Sequence, residues 1–69
     1  MSERLICRLK DVRTERGWTQ AELAERVGVS RKTINTVENG VFVPSTVLAL
    51  KLAAAFDLRV EDLFGLEGA

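Results

Sequence analysis

Between Ser30 and Gly40 the chain reads SRKTINTVENG, and Arg31, Lys32, Thr33, Asn35 and Thr36 all carry hydrogen-bond donors. Ile34 and Val37 interrupt them at a spacing of three. On a helix, that spacing puts the two aliphatics on one face and the donors on the other. An outward row of donors is the chemistry that reads base edges in a major groove. Arginine suits the O6/N7 edge of guanine, and lysine serves the same acceptors with less geometric definition. Catalysis has no comparable constellation. The sequence holds no histidine, a single cysteine, no phosphate-cradling glycine loop and no nucleophile with an adjacent base. An enzyme is therefore not expected, nor a metal or other cofactor. Glu61 and Asp62 fit the start of a helix, where carboxylates meet the positive end of the dipole.

Two short helices must position the donor row. Thr19 followed by Glu22 forms a capping box, with Trp18 and Leu23 placed as a hydrophobic staple around it. Leu23, Ala24 and Val27 form the inward stripe of the first helix, and Gly28 ends it in a left-handed turn. The pattern then repeats, with Val29 as staple, Ser30 as cap, Ile34 and Val37 as stripe and Gly40 as stop. Ser45 is predicted to cap a longer helix reaching Phe56, with Leu48, Leu52, Ala53 and Phe56 inward and Lys51 outward. Pro44 excludes the preceding loop from that helix. Phe42 is expected to cover the open end of the core, with its backbone N–H as a secondary candidate for a phosphate contact. Asp57–Arg59 reads as a turn, and Val60–Phe64 as one last helical turn.

The amino-terminal segment admits two readings. Leu5, Leu9 and Val12 recur at helical spacing, which predicts a one-faced helix over 4–16, with Ile6 off its face. In the alternative, residues 3–7 are extended and the helix begins near Arg8, so that Leu5 and Cys7 point to one side and Ile6 to the other. Cys7 is expected to pack as a small apolar group. Leu5, Ile6, Phe64 and Leu66 supply more apolar surface at the two ends than one small core needs, which marks them as a candidate dimer interface.

The 69 residues allow one domain, taken as 1–69 with a core over 8–64, near the lower limit for folding without staples. One cysteine forms no internal disulfide, and the sequence shows no signal peptide or membrane span, so a cytoplasmic protein is expected. Formal net charge is zero, which disfavours indiscriminate nucleic-acid binding. The charge is nevertheless uneven: residues 1–32 carry a net +3 and residues 33–69 a net −3. A molecule so polarised can turn its positive half toward phosphate.

Counted from Gln20, the fifth residue is small (Ala24), the ninth is glycine (Gly28), and the fifteenth and eighteenth are buried aliphatics (Ile34, Val37). This resembles the helix-turn-helix of the Cro/phage-repressor superfamily, also called the XRE family. The resemblance extends over nearly the whole chain, through Glu38-Asn39-Gly40, Pro44-Ser45 and Val60–Phe64. It implies an all-α, five-helix, lambda-repressor-like domain, to which the extended reading of the amino terminus would add short terminal β-strands. By position it implies base contacts from Arg31, Lys32 and Thr36, a contact from Asn35 to either base or backbone with the base favoured, and phosphate contacts from Gln20, Thr33 and Asn39. It also implies a buried ion pair between Arg13 and Glu38. The sequence departs from the family in carrying Arg31 and Lys32 where Gln or Ser is common, and Arg59 where a Ser or Thr cap is common. The expected partners are double-stranded DNA and a second copy of the chain. A single domain makes few contacts, and a homodimer on half-sites about 34 Å apart doubles them. The expected activity is repression from an inverted-repeat operator. The alternative is an antitoxin or interaction module of the same fold, whose main partner is a protein toxin and whose complex survives high salt.

Overall fold

Capping hydroxyls set three of the five helix starts, and apolar stripes seal the helices against one another. The structure, a computed structural model, describes residues 4–67. In order the elements are β1 (Arg4–Cys7), α1 (Leu9–Glu15), α2 (Gln20–Val27), α3 (Arg31–Glu38), α4 (Thr46–Phe56), α5 (Val60–Leu63) and β2 (Phe64–Glu67). Thr19 Oγ1 accepts from the Glu22 N–H at 3.0 Å, and Glu22 Oε1 accepts from the Thr19 N–H at 2.8 Å. Ser30 and Ser45 accept from the backbone N–H groups of Thr33 and Leu48, each at 3.1 Å. Gly28 closes α2 at φ 77°, a backbone region that costs little only without a Cβ. Arg59 has no side-chain cap to offer α5; instead Asp62 Oδ2 accepts from the Arg59 N–H at 2.9 Å.

The bonds made with Thr19 hold the Glu22 carboxyl below the usual carboxylate range. A depressed pKa means stability that is present above the unfolded value and lost as pH falls through the folded one. Glu22→Gln keeps an acceptor for the Thr19 N–H but removes the titration. Its unfolding midpoint in urea is expected to decline less steeply from neutral into acid than that of the parent chain. Parallel declines would show that this box does not contribute to acid sensitivity.

The core gathers Leu9, Leu23, Ile34, Leu52, Phe56 and Leu63, all fully buried, with one or more from every helix. Trp18 stacks on Phe56 with ring centroids 4.9 Å apart, and the Arg26 guanidinium lies 4.0 Å from the Trp18 centroid. Arg16 Nη2 donates to the Phe56 carbonyl at 2.7 Å, satisfying an orphan acceptor at the end of α4. Asp57 ends that helix in the left-handed region at φ 58°, while the Leu58 N–H returns to the Ala53 carbonyl at 2.9 Å. An aspartate tolerates this conformation better than most side chains.

The continuous helix over 4–16 is corrected. Residues 4–7 are extended and pair antiparallel with β2, with Leu5 opposite Leu66, Ile6 opposite Gly65 and Cys7 opposite Phe64. Glu3, the first residue of the extended reading, lies outside the described residues. Strand pairing satisfies backbone groups that a first helical turn would leave open, and α1 starts only after Arg8. The last helix likewise stops at Leu63, and Phe64 begins β2. Phe64 is therefore not surplus apolar surface: at 6% exposure it belongs to this chain's own core. Phe42 is corrected in the other direction. At 46% exposure it does not seal the core, and its backbone N–H is occupied by the Thr36 carbonyl at 3.3 Å. Cys7 is half-buried against the core, and burial is the main cause pushing its thiol up. Slow alkylation by iodoacetamide at neutral pH is the expected result, with fast labelling only after unfolding. Equal rates in the folded and unfolded chain would contradict it.

Candidate nucleic-acid interface

Ile34 and Val37 anchor α3 against the core, and the tight turn at Gly28 fixes its angle to α2. The opposite face of α3 is then committed to solvent. Arg31, Lys32 and Asn35 are exposed, and with Gln20 from the start of α2 they line one polar recess. Thr33 and Thr36 are half-buried along the same helix, and Asn39 is exposed just beyond its end. The recess thus brings Gln20, expected to meet phosphate, together with Arg31, Lys32 and Asn35, expected to meet bases; Thr33, Thr36 and Asn39 do not line it.

Several of these side chains are already engaged. The Thr33 hydroxyl lies 3.0 Å from Ser30 Oγ, and Thr36 Oγ1 donates to the Thr33 carbonyl at 2.9 Å. Asn39 Nδ2 donates to Asn35 Oδ1 at 3.1 Å. Gln20 Nε2 donates to Glu38 Oε1 at 3.0 Å, so this amide steadies the first turn of α2 against the end of α3. Arg31 and Lys32 open the helix as its cations, and α3 has no acidic residue in its first turn.

Arg13 and Glu38 meet in a two-pronged ion pair. Arg13 Nε donates to Glu38 Oε2 at 2.6 Å and Arg13 Nη2 to Oε1 at 3.2 Å, while Nη1 donates to the Trp18 carbonyl at 2.7 Å. The Glu38 side chain is 1% exposed and that of Arg13 10%. Glu38 is thereby withdrawn from the surface, and its charge is neutralised before it can oppose phosphate. Every buried side-chain nitrogen and oxygen among the described residues has a partner. Sequence reasoning missed two of these ties, Gln20 to Glu38 and Arg16 to Phe56. They join residues 18 and 40 positions apart, and no local pattern signals them.

A donor-bearing helix held by a tight turn on the helix before it, within five helices, defines a helix-turn-helix DNA-binding regulator. Residues 9–63 match the family described as Helix-turn-helix (HTH_3), and the chain belongs to that family. It is 45% identical over 60 residues to YgzD of Bacillus subtilis, an uncharacterized HTH-type transcriptional regulator, covering 87% of this chain and 91% of that one. A solved relative is the restriction-modification controller protein C.AhdI from Aeromonas hydrophila, with a TM-score of 0.76 and 38% identity, covering 80% of this chain and 83% of that one. Another is SinR, a master regulator for biofilm formation, solved in complex with DNA. Its TM-score is 0.73 at 33% identity, covering 78% of this chain and 87% of that one.

Proposed function

We propose that the protein is a cytoplasmic, sequence-specific repressor that occupies an inverted-repeat operator as a homodimer. The observation that carries this reading is the exposed face of α3, where Arg31, Lys32 and Asn35 stand in one recess with Gln20. A B-form major groove about 12 Å wide admits one helix. Its amino-terminal end, here Arg31 and Lys32, reaches deepest. Arg31 and Lys32 contact base edges in this reading, with Asn35 and the methyl group of Thr36 one turn on. Gln20, Thr33 and Asn39 flank them and meet the phosphates on either side. The structural likeness to SinR, which is solved in complex with DNA, supports the assignment to duplex DNA.

The second copy is placed on the apolar end of the molecule. Leu5 and Leu66 face each other across the ribbon and are both exposed. Leu5 also borders an apolar groove of about 210 Å³ with Val43, Pro44, Leu50 and Phe64. Val43 and Leu50 remain 70% and 56% exposed, an arrangement that a partner surface would cover. Of the four interface residues expected from sequence, Leu5 and Leu66 are exposed, Ile6 is half-buried, and Phe64 lines the groove from within the core.

Selection from a random oligonucleotide pool tests the function. The expected product is one preferred inverted repeat, bound by two chains, with affinity falling steeply as salt rises. Enrichment of no sequence would overturn the reading. Leu50→Asp is expected to give a monomer in sedimentation and to weaken operator binding by at least about tenfold, because each half-site then binds alone. An unchanged dimer would move the second copy to another face.

A further inference from the structure

We propose that the recess between β1 and the end of α3 binds a small amphipathic monoanion, an aliphatic or aromatic carboxylate. Arg4 holds the carboxylate at the mouth, and the recess takes the apolar body. The site is separate from the recess that holds Arg31 and Lys32, and it does not depend on what α3 reads.

Three separate pieces of chain form the walls. Leu5 and Cys7 come from β1, Val37 and Gly40 from the last turn of α3 and its stop, and Phe42 and Val43 from the loop beyond. The volume is about 310 Å³, at the lower end of what small-molecule sites occupy. Burial pushes the Cys7 thiol up, so at neutral pH it lines the wall as an uncharged group. Phe42 and Val43 are large apolar side chains that the chain's own core leaves exposed. Their loop is nonetheless tied down, because the N–H groups of Val41 and Phe42 both donate to the Thr36 carbonyl, at 3.0 and 3.3 Å. An apolar wall already in place costs a ligand little ordering on binding.

The mouth is cationic. Among the described residues, Arg4 is the one charged side chain that lines the recess. Its tie within the chain is loose: Arg4 Nε and Glu67 Oε1 are 4.0 Å apart, with side chains 81% and 62% exposed. Water screens such a pair to little. A ligand carboxylate can instead take the forked geometry that a guanidinium offers. Of the acids whose charge reaches Cys7, Glu38 is neutralised by Arg13, and Asp11 does not line the recess. The groove assigned to the second copy shares Leu5 and Val43 with this recess but is more open, and no charged residue lines it. Charge at the mouth therefore distinguishes a small anion from a second apolar surface as the occupant.

Octanoate titrated into the full chain at neutral pH, below its micellar range, tests the site through the backbone amide shifts of the labelled protein. Octan-1-ol and octylammonium serve as chain-matched controls. Saturable shifts are expected at Cys7, Val37, Gly40 and Phe42, and smaller ones at Leu50 and Val60, which line the neighbouring groove. Octan-1-ol is expected to bind about tenfold more weakly than octanoate, and octylammonium more weakly still. Arg4→Gln, at an exposed position, should leave the amide spectrum folded and lower octanoate affinity about tenfold, to that of the alcohol. Glu67→Gln should raise octanoate affinity, because it removes the carboxylate that competes for Arg4. Equal binding of all three probes, or of octanoate to the parent and to Arg4→Gln, would overturn the assignment. So would largest shifts at Leu50 and Val60, which place the probe in the groove. Absence of saturable binding, as when a second copy covers the recess, would overturn it as well.

Discussion

Arg13→Ala is expected to remove about 3–5 kcal/mol of folding stability, the cost of leaving a buried carboxylate without its charged partner. For a domain of this length total stability is about 3–10 kcal/mol, so the loss removes about a third of it or more. The magnitude follows from how completely the pair is withdrawn from water. With Arg13 gone, Glu38 keeps one bond from Gln20, and the Trp18 carbonyl loses its donor as well. The same physics makes a second expectation. Arg13→Met combined with Glu38→Leu should recover most of the loss, because two apolar groups replace a pair whose desolvation cost offsets its attraction. Urea unfolding of the parent, the single variant and the double variant measures both. A loss under about 1 kcal/mol for Arg13→Ala would show that the pair does not hold α1 to α3. A recovered double variant that still binds its operator would separate the structural duty of Glu38 from any part in reading DNA.

Arg31→Ala is expected to act on binding and not on folding. Its side chain is exposed at the start of α3, and Ile34 and Val37 anchor the helix without it. Loss of a bidentate guanine contact costs about 1–3 kcal/mol per half-site. A symmetric dimer loses it twice, so operator affinity should fall by about 2–6 kcal/mol, roughly thirtyfold to twenty-five-thousandfold. Base preference should relax at one position in each half-site, while the thermal midpoint stays within a degree or two. Mobility shifts on the selected operator and on a scrambled duplex separate the two effects. An equal loss on both duplexes would reassign Arg31 from base to phosphate.

The parts of the fold legible in the sequence are those that local chemistry dictates. Thr19, Ser30 and Ser45 each sit at a helix start because their hydroxyls satisfy the N–H group three residues on, a rule that needs no tertiary information. The donor row of α3 was legible for the same reason: Ile34 and Val37 fix which face turns inward. The amino terminus was ambiguous because Leu5, Leu9 and Val12 fit a helical period while residues 4–7 also fit a strand. The deciding partner, β2, lies at the far end of the chain. Phe64 and Phe42 exchanged their expected places for a related reason. Strand pairing aims Phe64 into the core behind Cys7, and the core is then closed without Phe42. In the site, residue types showed which side chains can donate. Which atoms remain after Asn39 has met Asn35, and Gln20 has met Glu38, is a matter of geometry alone.

The ribbon that joins Arg4 to Glu67 bears on how the chain folds and exchanges its amides. Closing a loop of about 60 residues is entropically costly, and it repays that cost only once the helices between the strands have packed. The strands should therefore form late and open first, with deuterium entering their amides sooner than those of α2, α3 and α4. A second chain seated against Leu5 and Leu66 would favour the zipped form, so the assembled regulator should be slower to fray at its seam than either copy alone.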